Sequence, residues 1–265
     1  MHPRAATPDT QAAAVLMYHA LGHGGTPPGQ DPHYTIDAAL FDRQLVQVAQ
    51  AGGACSVRDW MERGIRRPVL LTFDDGHASN HGLAFPALLE HGFQADFFVN
   101  PANVGKAGFA TWSQLREMAA AGMSIQSHGH DHTYFTDMDA HTLRDRLRTA
   151  RLRIEDEVGS PVNLLAPPGG RMPPGLAALA YSCGYSHVVA SRPGRLSPKQ
   201  PPDIVPRLAV TATLDAERFQ SWISGRGSAV LREQLRYGSL ALAKGLLGNS
   251  RYERARSLLL AGRGG

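Results

Sequence analysis

The sequence predicts an α/β fold, a distorted (β/α) barrel of about seven parallel strands followed by a C-terminal helical tail. Three observations predict it. Short apolar runs alternate with helical stretches along the chain. The apolar runs are only four or five residues long, as in a parallel sheet with helical crossovers. About seven such units fit into 265 residues, which favours a closed barrel over an open sheet. No repeat of fixed period runs through the chain.

Val15 to Tyr18 is the first predicted strand, and a Gly/Pro-rich loop follows from Gly22 to Pro32. Thr35 is the predicted cap of a helix from about Asp37 to Gln50, with Leu40, Phe41, Leu45 and Val48 on one face and Gly52 and Gly53 as its stop. Val69 to Phe73 is the next strand, after Pro68. Pro86 to Glu90 lies in a helix that ends at Gly92, and Ala95 to Val99 is a strand. Trp112 to Ala121 is helical, Met123 to Gln126 extended, and Leu143 to Val158 a long amphipathic helix stopped at Gly159. Val162 to Leu165 and Ser186 to Ala190 complete the strands. Residues 1–14 are expected as an N-terminal arm, 15–228 as the barrel and 229–265 as a basic helical tail.

Hydrophobic residues make up 43% and charged residues 19%, ordinary values for a globular chain with a sizeable core. No uncharged apolar run reaches the ~18 residues of a membrane span. Met1 to Gln11 lacks the apolar centre of a secretory signal, so a cytoplasmic location is expected. Cys55 and Cys183 are the only cysteines, too few for a disulfide framework or a Cys-rich zinc site. The net charge of +4 is uneven. From Ala229 onward seven Lys or Arg face two Asp or Glu, which leaves the body at −1. A near-neutral body argues against nucleic acid as a partner. The tail has two readings: a helix packed on the barrel with a solvated basic face, through Leu231, Leu235, Leu240, Leu242, Leu246 and Leu247, or a peripheral contact with an anionic membrane or a biosynthetic complex.

In parallel α/β folds the chemistry sits at the C-terminal ends of the strands. Phe73 runs into Asp74, Asp75 and Gly76. Adjacent carboxylates in extended chain point opposite ways and can serve two jobs, one on a metal and one as a base. An Asp-Gly turn is the plain alternative. Gln126 runs into Ser127, His128, Gly129, His130, Asp131 and His132. On a helical turn, His128 and His132 share a face and can share a metal; in extended chain His130 joins them. Gly129 comes after the first His, so the His-Glu-x-x-His pattern is excluded. Asp75, His128 and His132 make the two-nitrogen, one-oxygen set of a catalytic zinc site, and leave Asp74 as a base. The Ala166-Pro167-Pro168-Gly169-Gly170-Arg171 segment suits a groove wall, with Arg171 in reach of Asp74, or is an ordinary Pro/Gly loop.

Thr72-Phe73-Asp74-Asp75-Gly76, Ser127-His128-x-x-x-His132 and Leu165-Ala166-Pro167-Pro168-Gly169-Gly170 resemble the three signatures of the polysaccharide deacetylases, the NodB-homology group or carbohydrate esterase family four. The similarity covers roughly residues 15–210. It implies Asp74 as general base, Asp75, His128 and His132 as metal ligands, zinc as the expected divalent ion with cobalt or nickel as substitutes, and hydrolysis of an N-acetyl group on a hexosamine polymer or oligomer. Three departures stand out. Gly129 takes the place of a usual Ser or Thr. Ala166 takes the place of an Arg that contacts the base, which leaves Arg171 or Arg207 as its replacement. The C-terminal Leu-x-x-His is absent, because no His lies beyond His187. Leu16-Met17-Tyr18-His19 carries that pattern at the N-terminal end, and this is similar to the permuted poly-N-acetylglucosamine deacetylases of exopolysaccharide systems. The resemblance thus implies His19 as general acid, a saccharide partner and a role in exopolysaccharide or cell-envelope biosynthesis. Pro168, Gly169, Gly170, Arg171, Arg207 and Trp112 are the expected groove or supporting residues, with Tyr134 as a second aromatic. A deacylase of another amide or an O-acetyl ester, and a non-catalytic saccharide-binding barrel, are the alternatives.

Overall fold

The fold is taken from a computed structural model of the chain, which describes residues 12–199, 202–225 and 228–247. In chain order the elements are β1 (Ala13–Tyr18), β2 (Ala20–Gly22), β3 (Thr35–Asp37), α1 (Ala38–Gln50), β4 (Ala54–Cys55), α2 (Val57–Glu62), β5 (Val69–Phe73), α3 (Phe85–Glu90), β6 (Asp96–Val99) and α4 (Trp112–Ala120). Then come β7 (Ser124–Ser127), α5 (Ala140–Val158), β8 (Leu164–Leu165), α6 (Leu176–Ser182), β9 (His187–Val189), β10 (Arg195–Leu196), β11 (Ile204–Val205), β12 (Leu208–Ala209), α7 (Ala216–Ser224) and α8 (Ala229–Leu247).

Seven strands run side by side in the order β1-β5-β6-β7-β8-β9-β11, each pair parallel. After β11 the chain passes Pro206 and Arg207 and continues as β12, which pairs parallel with β1. That step brings the sheet nearly round to its first strand, so the expected barrel forms, with its seam at Arg207. β4 adds to β5, and the short β10 lies antiparallel to the start of β1. Outside the barrel, β2 and β3 form a separate parallel pair over one mouth.

Side chains alternate between two faces along each strand. Leu16 and Tyr18 of β1, Leu71 and Phe73 of β5, and Phe97 and Val99 of β6 pack in the larger apolar cluster with α1, α3, α4 and α5. Val15, Leu70 and Phe98 point the other way, into a smaller cluster with Val57 and Trp60 of α2. Asp96 opens β6 on this inner side and accepts the backbone N–H groups of Val57 and Arg58, which caps α2 across the N-terminal ends of the strands. Burial pushes the Asp96 carboxyl up to about 7, against the hydrogen bonds from Ser124 and Val57.

Several expected boundaries move. Ala13 and Ala14, expected outside the barrel, belong to β1, because they pair with Leu196 and Arg195; residues 1–11 lie outside the described residues. Thr35 is not a cap. It sits in β3 with its hydroxyl on the Asp31 carbonyl, and Asp37 caps α1 by accepting the Ala39 N–H. Elements α2, α6 and α7, the short strands β2 to β4 and strands β10 to β12 were not expected and lie between the expected ones. In the tail, α8 packs on α7 through buried Glu233, which pairs with Arg218 at 2.8 Å and Arg236 at 3.0 Å. Leu231 and Leu235 face outward; residues 248–265 and the side chains of Leu240, Leu242, Leu246 and Leu247 lie outside the described residues. No helix among the described residues is long and apolar enough to cross a membrane.

Candidate active site

Register sets the site. Tyr18 pairs with Phe73, Val99 with Ser127, and Ser127 with Leu165, so the strands end on one level. The next residues, His19, Asp74, His128 and Ala166, therefore meet at one mouth of the barrel. A cleft of about 320 Å³ opens there, lined by His19, Asp74, Asp75, His128 and His132 together with Asp31, Tyr34, Tyr134, Gly169, Gly170 and Arg171.

Asp74 continues the inward face of Leu70 and Thr72 and is almost fully buried. Arg207 comes in from the seam and grips it with a fork, Nη1 to Oδ1 at 2.6 Å and Nη2 to Oδ2 at 2.8 Å. The same guanidinium donates to Thr72 Oγ1 at 3.2 Å and lies over the Phe98 ring. Burial raises the Asp74 pKa; the charge of Arg207, then the charge of His128, the Arg207 hydrogen bonds and His19 together outweigh it and hold the carboxyl below its ordinary value. Asp74 is thus an ionised carboxylate in a dry place. Of the two arginines expected as its partner, the structure selects Arg207. Arg171 instead stacks on the Tyr134 ring at 4.0 Å, in the cleft wall.

Asp75 does not continue the strand. Its φ of +74° turns the chain, and Gly76 lies in the same left-handed region. The turn brings Asp75 into the same cleft as Asp74, where both carboxylates line one space. Asp75 Oδ1 lies 3.3 Å from His128 Nε2 and 3.2 Å from His132 Nε2. The three ligand atoms lie within 4.8 Å of one another, the one such cluster among the described residues. The His128–His132 segment is not a helical turn. It is a bent loop in which His132 takes φ +66°, and His130 stays out of the cluster.

This set fits a cation. His128 Nδ1 lies 2.8 Å from the Ala166 carbonyl, so that nitrogen carries the proton and Nε2 presents a lone pair. Asp75 Oδ1 is buried and has no hydrogen-bond partner among the described residues. A bare nitrogen facing a bare carboxylate oxygen across 3.3 Å asks for a positive ion between them. Two imidazoles and one carboxylate are the donor chemistry of zinc and its neighbours.

His19 lines the same cleft, its ring against Tyr34 with centroids 4.6 Å apart and the planes tilted by 31°. Its Nδ1 has no hydrogen-bond partner among the described residues, and its carbonyl accepts from Asn80. Burial lowers its pKa, while Asp75 and Asp74 pull it upward. The remaining expected residues divide. Gly169 and Gly170 line the cleft; Gly169 has φ +59°, and a Cβ there would lie 2.7 Å from the Tyr134 ring. Pro168 is buried beneath them. Trp112 does not reach the cleft. It opens α4, packs against the apolar cluster, and lies under Arg153. Sequence reasoning missed Asp31, set in the cleft by a turn in which it accepts the His33 N–H. Its one signal was its place at the end of a Gly/Pro-rich loop.

The fold and the cleft define a parallel α/β barrel with a buried, arginine-held carboxylate, a cluster of two imidazoles and a carboxylate whose chemistry fits a cation, and a third imidazole at one mouth. Residues 62–188 match the family described as "Polysaccharide deacetylase". The chain carries a polysaccharide deacetylase domain, the domain of a class of hydrolases. YxkH of Bacillus subtilis (strain 168), provisionally named a polysaccharide deacetylase, is 23% identical over 209 residues, 79% of this chain and 75% of its own length. Among solved structures, BC0361, a polysaccharide deacetylase from Bacillus cereus, is similar with a TM-score of 0.71 at 24% identity, over 81% of this chain and 69% of that one. IcaB from Ammonifex degensii is similar with a TM-score of 0.63 at 23% identity, over 84% and 97%. These structural likenesses are likenesses of fold.

Proposed function

We propose that the chain is a metal-dependent N-deacetylase of an N-acetylhexosamine oligo- or polysaccharide in exopolysaccharide or cell-envelope biosynthesis. The observation that carries the reading is an ionised, arginine-held Asp74 beside the Asp75–His128–His132 cluster: a binding module has no use for a base next to three ligands. Asp75, His128 and His132 would hold a divalent ion, zinc by donor type. Bound there, such an ion supplies Lewis-acid polarisation of the acetyl carbonyl and of water.

The protein's own groups carry the protons. Asp74 takes one from the attacking water as its oxygen bonds to the acetyl carbon. Arg207 keeps Asp74 ionised for that step and fixes its direction. His19, as imidazolium, gives a proton to the amine nitrogen as the C–N bond breaks, so that acetate and a free amino sugar leave. Asp74→Asn is expected to stop acetate release from N-acetylglucosamine oligomers with metal content unchanged. His19→Ala is expected to slow amide hydrolysis far more than hydrolysis of an aryl acetate, whose leaving group needs no proton. Equal losses on both substrates would remove His19 from the acid role.

The tail belongs to the same proposal. Leu231 and Leu235 point outward beside Arg232, in a segment carrying an excess of five positive charges. That supports contact with an anionic membrane surface. Sedimentation of the full chain with anionic but not zwitterionic vesicles is expected; sedimentation with neither removes this part.

A further inference from the structure

The two imidazoles of the cluster are not equally supported. His128 is 2% exposed and its outer nitrogen is tied to the Ala166 carbonyl. His132 is 40% exposed, and no protein group among the described residues hydrogen-bonds its outer nitrogen. Its position is therefore left to the backbone, and that backbone is held at φ +66°, where a non-glycine residue stays only if its surroundings keep it. Gly129 cannot brace the loop. It has no side chain, and a Cβ there would lie 2.8 Å from Phe135.

The side chain that does brace the loop is Asp131, next to His132. Asp131 Oδ1 accepts the Thr133 N–H at 3.2 Å, which spans His132 from both sides. Asp131 Oδ2 is paired with Nη1 of Arg146, which stands on the long helix α5. A rigid helix thus reaches across and fixes the one loop that carries the exposed ligand.

We propose that Arg146, acting through Asp131, is a positioning residue that sets the divalent-cation affinity of the Asp75–His128–His132 site by holding His132 in place. The inference rests on the reading of that cluster as a cation site. Removing an outer partner of a metal ligand typically weakens metal affinity by about 10–100-fold.

The test is a chelator-competition titration of the full chain with zinc, repeated with cobalt while its visible absorption is recorded. Arg146→Ala and Asp131→Asn are expected to weaken affinity about 10–100-fold and to alter the cobalt bands, with Arg146→Lys recovering part of the loss. Acetate release by Arg146→Ala is expected to recover as metal is raised to saturation. Arg153→Ala breaks a surface pair with Glu157 on the same helix and is expected to leave affinity unchanged. Thermal unfolding of each variant separates a loosened loop from a lost fold; if Arg146→Ala does not fold, Asp131→Asn and Arg146→Lys decide. Wild-type affinity in both Arg146→Ala and Asp131→Asn overturns the clamp while the cation site stands. An equal loss in Arg153→Ala also overturns it. A wild-type chain that takes up no zinc and no cobalt overturns the cation site itself.

Discussion

His128 and His132 reach the same Asp75 oxygen from two differently built regions. The His128 side grows out of the barrel wall: strand β7, the Ala166 carbonyl beyond β8, and next to it Asp74 in the fork of buried Arg207. The His132 side is loop, half open to solvent, braced by Asp131 and flanked by Tyr134, on which Arg171 stacks. A barrel mouth built this way divides its work. Groups that need one protonation state and one direction sit on the strands, where neighbours on both sides over-determine them. Groups that face an incoming chain sit on loops, where a single side-chain contact decides how firmly they are held.

Substitutions test that division, and the largest effect is expected on the wall side. His128→Ala is expected to lose the metal and to be destabilised as well, because the Ala166 carbonyl loses its partner in a buried place. His132→Ala is expected to weaken metal binding with an unfolding midpoint close to wild type. Metal analysis and thermal unfolding on the two variants read this directly, and equal loss of stability in both would erase the distinction.

Arg207→Ala comes next. It strands a buried carboxylate, a change that costs about 3–5 kcal/mol, and denaturant unfolding measures it. Lysine is expected to restore little, since it cannot form the fork. The pH dependence carries a sign. Because Asp74 is held below its ordinary value of 3.8 in the folded state, its pairing stabilises the protein above that pH and the stabilisation is lost as pH falls below it. In Arg207→Ala the largest pull against burial is gone and only His128 and His19 oppose it, so the Asp74 pKa is expected to rise and the stabilisation above 3.8 to shrink. The smallest effect belongs to the open wall. Arg171→Ala is expected to raise KM for N-acetylglucosamine oligomers while stability stays within about 0.5 kcal/mol of wild type.

Much of this was legible in the chain. Short apolar runs marked β1 and β5 to β9, while the two- and three-residue strands β2, β3 and β4 were too short to mark, and the polar residues that follow several of the runs marked the mouth. Asp74, Asp75, His128 and His132 stood out because charged and imidazole groups directly after buried strands have few structural uses. Arg207 was half legible, as a lone Arg in the apolar run from Val205 to Val210; that it closes the seam onto Asp74 depends on β12 pairing with β1, a contact across about 190 residues. The left-handed turn at Asp75 was not legible, since no Gly or Asn occupies that position. Nor was the Arg146–Asp131 pair, because Arg146 is one of several arginines on α5 and only the helix's azimuth selects it. Trp112 misled because an aromatic at a helix start reads alike whether it faces a groove or the core.

On the proposed reading, Asp75, His128 and His132 hold one divalent ion on which acetyl hydrolysis depends. Acetate release from N-acetylglucosamine oligomers tests it most directly, comparing the full chain as purified, stripped by chelator, and re-supplied with zinc, cobalt or nickel. The account predicts loss on stripping and recovery on re-supply, at one ion per chain. Release that survives complete stripping, or a folded chain that releases nothing with any of the three ions, would contradict it.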